Sequence, residues 1–146
     1  MTLTSSQLQD VIATCEFDRW MGLKVKALSE TSLTILMPFR QEIIGTPKFN
    51  RLHGGVLASL IDAAGCYLLI ALLAERVSTV NLVVDYLRPA QGEMLAVARV
   101  VKIGNRICNM NVDVMAEDGK LVATGRLTVL PLKVPLGEEE RLLSHQ

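Results

Sequence analysis

Asp62 is the only charge in residues 56–74, a run that reads Val-Leu-Ala-Ser-Leu-Ile-Asp-Ala-Ala-Gly-Cys-Tyr-Leu-Leu-Ile-Ala-Leu-Leu-Ala. An ionised carboxylate in apolar surroundings loses hydration and needs either a partner or a proton. A lone Asp there costs stability, so it is expected to carry a function. Immediately before the run stand Leu52, His53, Gly54 and Gly55. If a helix starts at the glycines, its first four N–H groups are unpaired and its N-terminus carries partial positive charge. Such an end receives an anion or a developing oxyanion, and two glycines let a ligand approach the backbone closely. Asp62 lies about 12 Å further along the axis at about 1.5 Å per residue, too far to act on the same carbonyl within one chain. A second subunit, related by a two-fold axis with antiparallel helices, would bring its Asp62 opposite Gly54. An amide that stabilises an oxyanion and a carboxylate base or nucleophile would then meet on one substrate atom. Taken singly, His53 also reads as a hydrogen-bonded structural residue, and Asp62 as a buried polar group bonded to a loop. Their nine-residue interval in a small sheet-rich domain favours the functional reading.

The elements that must position these residues follow from periodicity. Residues 5–19 pattern as a short amphipathic helix capped by Ser5 or Ser6, with Leu8, Val11, Ile12 and Cys15 at helical spacing. Residues 23–27 and 32–38 alternate as two short strands. Residues 41–52, with Gly45, Pro47 and Asn50 as breakers, read as a loop. The apolar helix starts at Gly54 or Gly55 and fades near Glu75. Four strand-like runs follow at 78–87, 93–102, 106–116 and 121–130. Arg88-Pro89, Gly92, Gly104-Asn105 and the hairpin signal Asp118-Gly119 punctuate them. Residues 136–146 form a charged tail. Short turns between successive strands make an antiparallel sheet. One long helix across its face is an α+β arrangement, with the sheet curled around the helix. Open sheet edges suggest a dimer with a continuous sheet.

Composition narrows the classes. A chain of 146 residues, half of them hydrophobic, is expected to form one domain with a substantial core. Fifteen basic and fifteen acidic residues cancel, which leaves no electrostatic footprint for nucleic acid or an anionic membrane. Aromatics at 4% argue against base stacking. Cys15, Cys66 and Cys108 are odd in number and scattered, so they make neither a metal pattern nor a disulfide framework. Cys66 and Cys108 read as reduced core residues, and a cytoplasmic location is expected. The polar first ten residues show no signal peptide. The apolar run approaches membrane-spanning length. However, an Asp near the centre of a span costs about 2.5–3.5 kcal/mol, and a helix apolar all round is expected to be buried in its own domain.

His53-Gly54-Gly55 followed by Asp62, then Asp85-Tyr86-Leu87-Arg88-Pro89-Ala90, then Lys102-Ile103-Gly104-Asn105-Arg106, resembles the PaaI-like (phenylacetate-type) thioesterase family over residues 17–132. The resemblance implies a hotdog fold: an N-terminal helix in 1–20, the hotdog domain in 21–132 and a charged tail in 133–146. It implies dimers that pair into tetramers, and hydrolysis of acyl-coenzyme A thioesters without metal or cofactor. By position, Asp62 corresponds to the catalytic carboxylate and Gly54 to the donor that polarises the thioester carbonyl. His53 would hold the helix start, and Thr79 would supply a hydroxyl that orients water. Gly55, Val56, Leu57 and Leu60 would contact substrate, with the last three lining an acyl pocket whose aliphatic bias suits a medium or long alkyl chain over the alternative, an aryl group. Arg88, Gly104, Asn105 and Arg106 would lie near the coenzyme A phosphates, or serve as ordinary turn residues.

One departure stands out. Many members carry an Asn six residues before the His, where this chain has Pro47, and a Gly three before it, where this chain has Asn50. Asn50 either supplies a replacement amide or takes the left-handed turn that Asn tolerates. The departure favours an alternative, a non-catalytic acyl-coenzyme A or fatty-ligand binding module on the same fold. A hotdog dehydratase usually pairs a His with a carboxylate on a different spacing. Here the second histidine, His145, is in the tail.

Overall fold

The computed structural model describes residues 3–138. In chain order the elements are α1 (Ser5–Thr14), α2 (Glu16–Met21), β1 (Lys24–Leu28), β2 (Ser32–Met37), β3 (Ile44–Thr46), β4 (Arg51–Leu52), α3 (Gly54–Leu73), β5 (Glu75–Tyr86), β6 (Met94–Lys102), β7 (Cys108–Ala116) and β8 (Leu121–Pro135). Six strands make one antiparallel sheet in the order β1-β2-β6-β7-β8-β5. Helix α3 lies across its inner face, which is the hotdog arrangement expected from the sequence.

Alternation drives the sheet. In β2, Leu33, Ile35 and Met37 face inward, and in β7 Cys108, Met110, Val112 and Val114 do the same. They meet the buried side chains of α3, including Leu60, Ile61, Ala64, Leu68 and Leu69. Two glycines set the helix close to β8. A Cβ at Gly125 would sit 2.5 Å from Ile61 Cγ2, and one at Gly65 would sit 2.8 Å from Leu127 Cδ2. Helix α3 has a mean hydropathy of 2.2, enough to cross a membrane by composition, but most of it is enclosed by its own sheet.

Several expectations change. The single N-terminal helix is two, because Cys15 takes extended backbone at φ −85°, ψ 115° and ends α1. The cap of α1 is Thr4 rather than Ser5 or Ser6. Its hydroxyl accepts from the Gln7 N–H while the Gln7 side chain accepts from the Thr4 N–H, a reciprocal capping box. The loop 41–52 holds two single-turn 3-10 segments and the β3–β4 pair. Strand β8 continues to Pro135, and the Leu136 N–H donates to the Ala74 carbonyl, so the start of the expected tail is paired. Residues 139–146, His145 among them, lie outside the described residues. The segment after β5, with Arg88-Pro89 and Gly92, is not a hairpin turn. Strand β5 pairs with β8, and β6 pairs with β2 and β7, so this segment is a crossover. It runs past the start of α3, where the Leu52 N–H donates to the Ala90 carbonyl.

Candidate active site

Two neighbours position His53 at the start of α3. The His53 N–H donates to the Ile43 carbonyl, and Gly45 approaches so closely that a Cβ there would sit 2.8 Å from His53 Cα. The His53 ring then caps the helix, its Nδ1 accepting from the Gly55 N–H at 2.9 Å. A neutral ring with Nδ1 as acceptor carries its proton on Nε2. The Val56 N–H donates to the His53 carbonyl. Gly54 is the first helical residue, and its N–H has no acceptor within the helix. Gly54 borders a cleft of about 350 Å³ together with Leu57, Tyr86, Arg88 and Pro89. The Tyr86 hydroxyl donates to the Gly54 carbonyl at 2.7 Å, and its ring closes over Gly54, 3.3 Å from where a Cβ would be. Tyr86 belongs to the motif recognised in the sequence, but nothing in its spacing assigns it this contact.

Asp62 sits two turns further along α3 and is half-buried. The Thr79 hydroxyl, from β5, donates to Asp62 Oδ1 at 2.7 Å. Cys66, one turn beyond Asp62, lies 3.1 Å from Thr79 Oγ1 and 3.8 Å from Asp62 Oδ1. Burial pushes the Cys66 thiol up to about 12, and the nearby Asp62 charge adds to it. This group opens into a second cleft, of about 370 Å³, walled by Phe17, Ala63, Tyr67, Ile70 and Val77. Asp18 of α2, 9% exposed, also lines that cleft and accepts from the Tyr67 hydroxyl at 2.5 Å, fastening α2 to α3. Burial first, and then the Asp18 carboxylate, raise the Tyr67 phenol above its ordinary value. Sequence spacing carries no sign of the Asp18–Tyr67 contact, which joins residues 49 positions apart.

The candidate residues thus divide between two places. His53, Gly54, Gly55, Leu57 and Arg88 gather at the helix start, whereas Asp62 and Thr79 gather at the other cleft. The two clefts share no lining residue, so one protomer does not bring Gly54 and Asp62 together. Strand register agrees. Thr79 is level with Val129 and Cys108, and Tyr86 is level with Ala123 and Val114, seven residues further along β5. Arg88 Nη1 donates to the Leu121 carbonyl at 2.7 Å, at the Tyr86 end. Gly104, Asn105 and Arg106 form the β6–β7 turn at the Thr79 end. A Cβ at Gly104 would meet the Ile107 carbonyl oxygen at 2.6 Å, so that turn requires glycine. Asn50 adopts the left-handed conformation, φ 53°, after the 3-10 turn that Pro47 starts, and it borders neither cleft. Of the acyl-pocket set, Leu57 borders the helix-start cleft. Leu60 is fully buried in the core, and Val56 borders neither cleft. Among the described residues no group of three or more His, Cys, Asp or Glu side chains could hold a metal ion.

A sheet curled around a long apolar helix is the hotdog fold, and known thioesterases share it. The model of the Thioesterase superfamily matches residues 49–123, and the chain belongs to that superfamily. Acyl-coenzyme A thioesterase 13 of Pongo abelii is 30% identical, over 88% of this chain and 96% of its own. The medium/long-chain acyl-CoA thioesterase YigI of Salmonella typhimurium is 27% identical, over 78% of this chain and 84% of its own. Among solved structures, thioesterase HI1161 of Haemophilus influenzae superposes with a TM-score of 0.80 at 26% identity, covering 91% of this chain and 94% of that one. The E. coli PaaI protein has a TM-score of 0.79 at 19% identity over 87% of this chain and 91% of its own, a likeness of fold. The PaaI-like resemblance holds, and the chain is a thioester hydrolase.

Proposed function

We propose that this protein hydrolyses medium- or long-chain acyl-coenzyme A to the free acid and coenzyme A, at sites shared between two protomers. The observation that carries the reading is the half-buried Asp62 carboxylate, held by Thr79 at 2.7 Å in a cleft of about 370 Å³ whose walls mix apolar side chains with Asp18 and Arg76. The thioester carbonyl docks on the Gly54 N–H at the start of α3. Asp62 of the other protomer delivers the attack, by activating water or by forming an anhydride that water opens. Thr79 holds the carboxylate. The alkyl chain occupies the space between Phe17, Ala63 and Ile70, and the similarity to the medium/long-chain acyl-CoA thioesterase YigI supports that choice. Arg88 and the Gly104-Asn105-Arg106 turn receive the coenzyme A phosphates.

The two sheet edges support the shared site. Strand β1 is protected: it carries Lys24 and Lys26, it has a bulge between Val25 and Ala27, and Gln9 hydrogen-bonds the Val25 N–H and the Leu23 carbonyl. Strand β5, twelve residues long, is the other edge and leaves Val80 60% exposed and Val83 40% exposed. Antiparallel pairing of β5 with its copy, centred midway between Thr79 and Tyr86 at Leu82 and Val83, sets each Asp62 end against the other protomer's Gly54 end. The same pairing brings the turn with Arg106 to the end that carries the other protomer's Arg88. The unpaired Cys15, Cys66 and Cys108 suit a reducing, cytoplasmic setting.

The test is free-thiol release from short, medium, long and aryl acyl-coenzyme A substrates by wild type, Asp62→Asn and Gly54→Pro. Proline removes the Gly54 N–H yet fits the first helical position, and His53 at φ −66°, ψ 132° already has the backbone that precedes a proline. Turnover is expected to be highest on medium and long chains. It should fall by about 10²-fold or more in Asp62→Asn and by about 10²–10³-fold in Gly54→Pro. Wild-type turnover in folded Asp62→Asn would refute the site, and a preference for short or aryl substrates would refute the chain-length assignment.

A further inference from the structure

We propose that Cys66 is a positioning residue for Asp62: its thiol donates to Thr79 Oγ1 and thereby directs the Thr79 proton onto the carboxylate. The proposal rests on Asp62 being the catalytic carboxylate. Its basis is a count of protons. Thr79 has one hydroxyl proton, which goes to Asp62 Oδ1 at 2.7 Å. Thr79 Oγ1 therefore accepts in its 3.1 Å contact with Cys66 Sγ, and the sulfur supplies the proton. The alternative acceptor for that proton, Asp62 Oδ1, is 3.8 Å away and the weaker partner. Cys66 and Asp62 are one helical turn apart on the same face of α3, and Thr79 reaches in from β5, so helix and strand close a three-member chain from thiol to hydroxyl to carboxylate. Hydrogen bonds in such a chain polarise and strengthen one another in a partly buried setting.

Two other polar groups at the cleft are engaged elsewhere, Ser59 donating to the Gly55 carbonyl at 2.8 Å. Asp18 is engaged by the Tyr67 hydroxyl at 2.5 Å. Burial holds the thiol protonated through neutral pH, so Cys66 is a standing donor and a poor nucleophile. Without the thiol, Thr79 still reaches the carboxylate but loses the contact that polarises and braces its hydroxyl, so the carboxylate is held less firmly toward the scissile carbonyl. Catalysis is sensitive to such misplacement, and ground-state binding much less so.

The test compares steady-state kinetics of wild type, Cys66→Ser, Cys66→Ala, Thr79→Ala and Cys66→Ala/Thr79→Ala on the best acyl-coenzyme A substrate, with Asp62→Asn as reference. Cys66→Ala is expected to lower kcat about five- to tenfold, the size of one lost hydrogen bond, with KM changed less than about twofold. Cys66→Ser, which keeps a donor, should recover most of that loss. In the Thr79→Ala background, removing the thiol should cost nothing further, because the chain is already broken. Wild-type kcat in Cys66→Ala, a change confined to KM, failure of serine to rescue, or additivity with Thr79→Ala would each overturn the proposal. If Cys66→Ala does not fold, Cys66→Val, similar in shape and without a donor, replaces it against Cys66→Ser with the same outcomes. Activity in Asp62→Asn would instead overturn the reading of the site itself.

Discussion

At the scale of residues, an acidic side chain tolerated on an apolar helix needs donors, and Thr79 supplies one directly to Asp62. Sequence analysis named both residues but read Cys66 as core, because the contact that connects it to Thr79 joins positions 13 apart, from a helix to a strand. The four-residue spacing from Asp62 to Cys66 was visible, since side chains one turn apart on a helix are neighbours. The partner on β5 was not. The raised Cys66 thiol has a measurable consequence for stability. A group whose value is raised on folding contributes fully below its ordinary value, and that contribution is lost as pH rises toward the folded value, here about 12. Alkaline pH should therefore destabilise wild type through this thiol by up to about 1.4 kcal/mol per unit above the ordinary thiol range. Cys66→Ser has no group titrating there. Urea midpoints followed across alkaline pH should fall more steeply for wild type than for Cys66→Ser, with the Tyr67 phenol common to both. Parallel curves would show that the thiol is not desolvated by folding.

At the scale of elements, the site depends on how closely α3 lies against the sheet. Gly125 in β8 leaves room for Ile61, beside Asp62 on the helix, and a methyl group at 125 would meet Ile61 Cγ2 at 2.5 Å and the Val83 carbonyl oxygen at 3.2 Å. Gly125→Ala is expected to cost about 1–3 kcal/mol by overpacking. At the C-terminal end of the helix Ala74 holds φ 52°, a left-handed conformation that a Cβ disfavours. Ala74→Gly is expected to raise stability by about 0.5–1 kcal/mol. Chemical denaturation of both variants checks the pair; a neutral Gly125→Ala would show that helix and strand can separate without cost. Periodicity was sufficient to place α3 and the main strands to within about three residues, except that β8 runs five residues beyond its expected end. It missed the break at Cys15 and the β3–β4 pair, because two- and three-residue elements have no period to detect.

At the scale of the whole molecule, one edge of the sheet is guarded by lysines, a bulge and Gln9, and the other is β5, which pairs only with β8 among the described strands and exposes Val80 and Val83. Symmetric pairing through β5 predicts complementation. Asp62→Asn dimers lack both carboxylates and Gly54→Pro dimers lack both amides, but a mixed dimer has one whole site. Equal co-expression should restore about a quarter of wild-type turnover, since half the dimers are mixed and each has one whole site of two. A mixed preparation as inactive as its parents would show that each site is built from a single chain.

What the sequence determined by itself was the set of elements and most of the chemical groups. Apolar periodicity is local, so α3 and the strands are written in consecutive residues. The HGG start and the lone Asp stand out because glycine and charge are expensive where they occur. The tertiary structure decided which strands are neighbours, and with that the location of everything else. The β5 crossover that carries Arg88 and Pro89 past Gly54, the β5 edge left open, and the chain from Cys66 through Thr79 to Asp62 all depend on pairings between distant residues. Such pairings are selected by the burial of a whole sheet face against one helix, a property that no single segment of the chain contains.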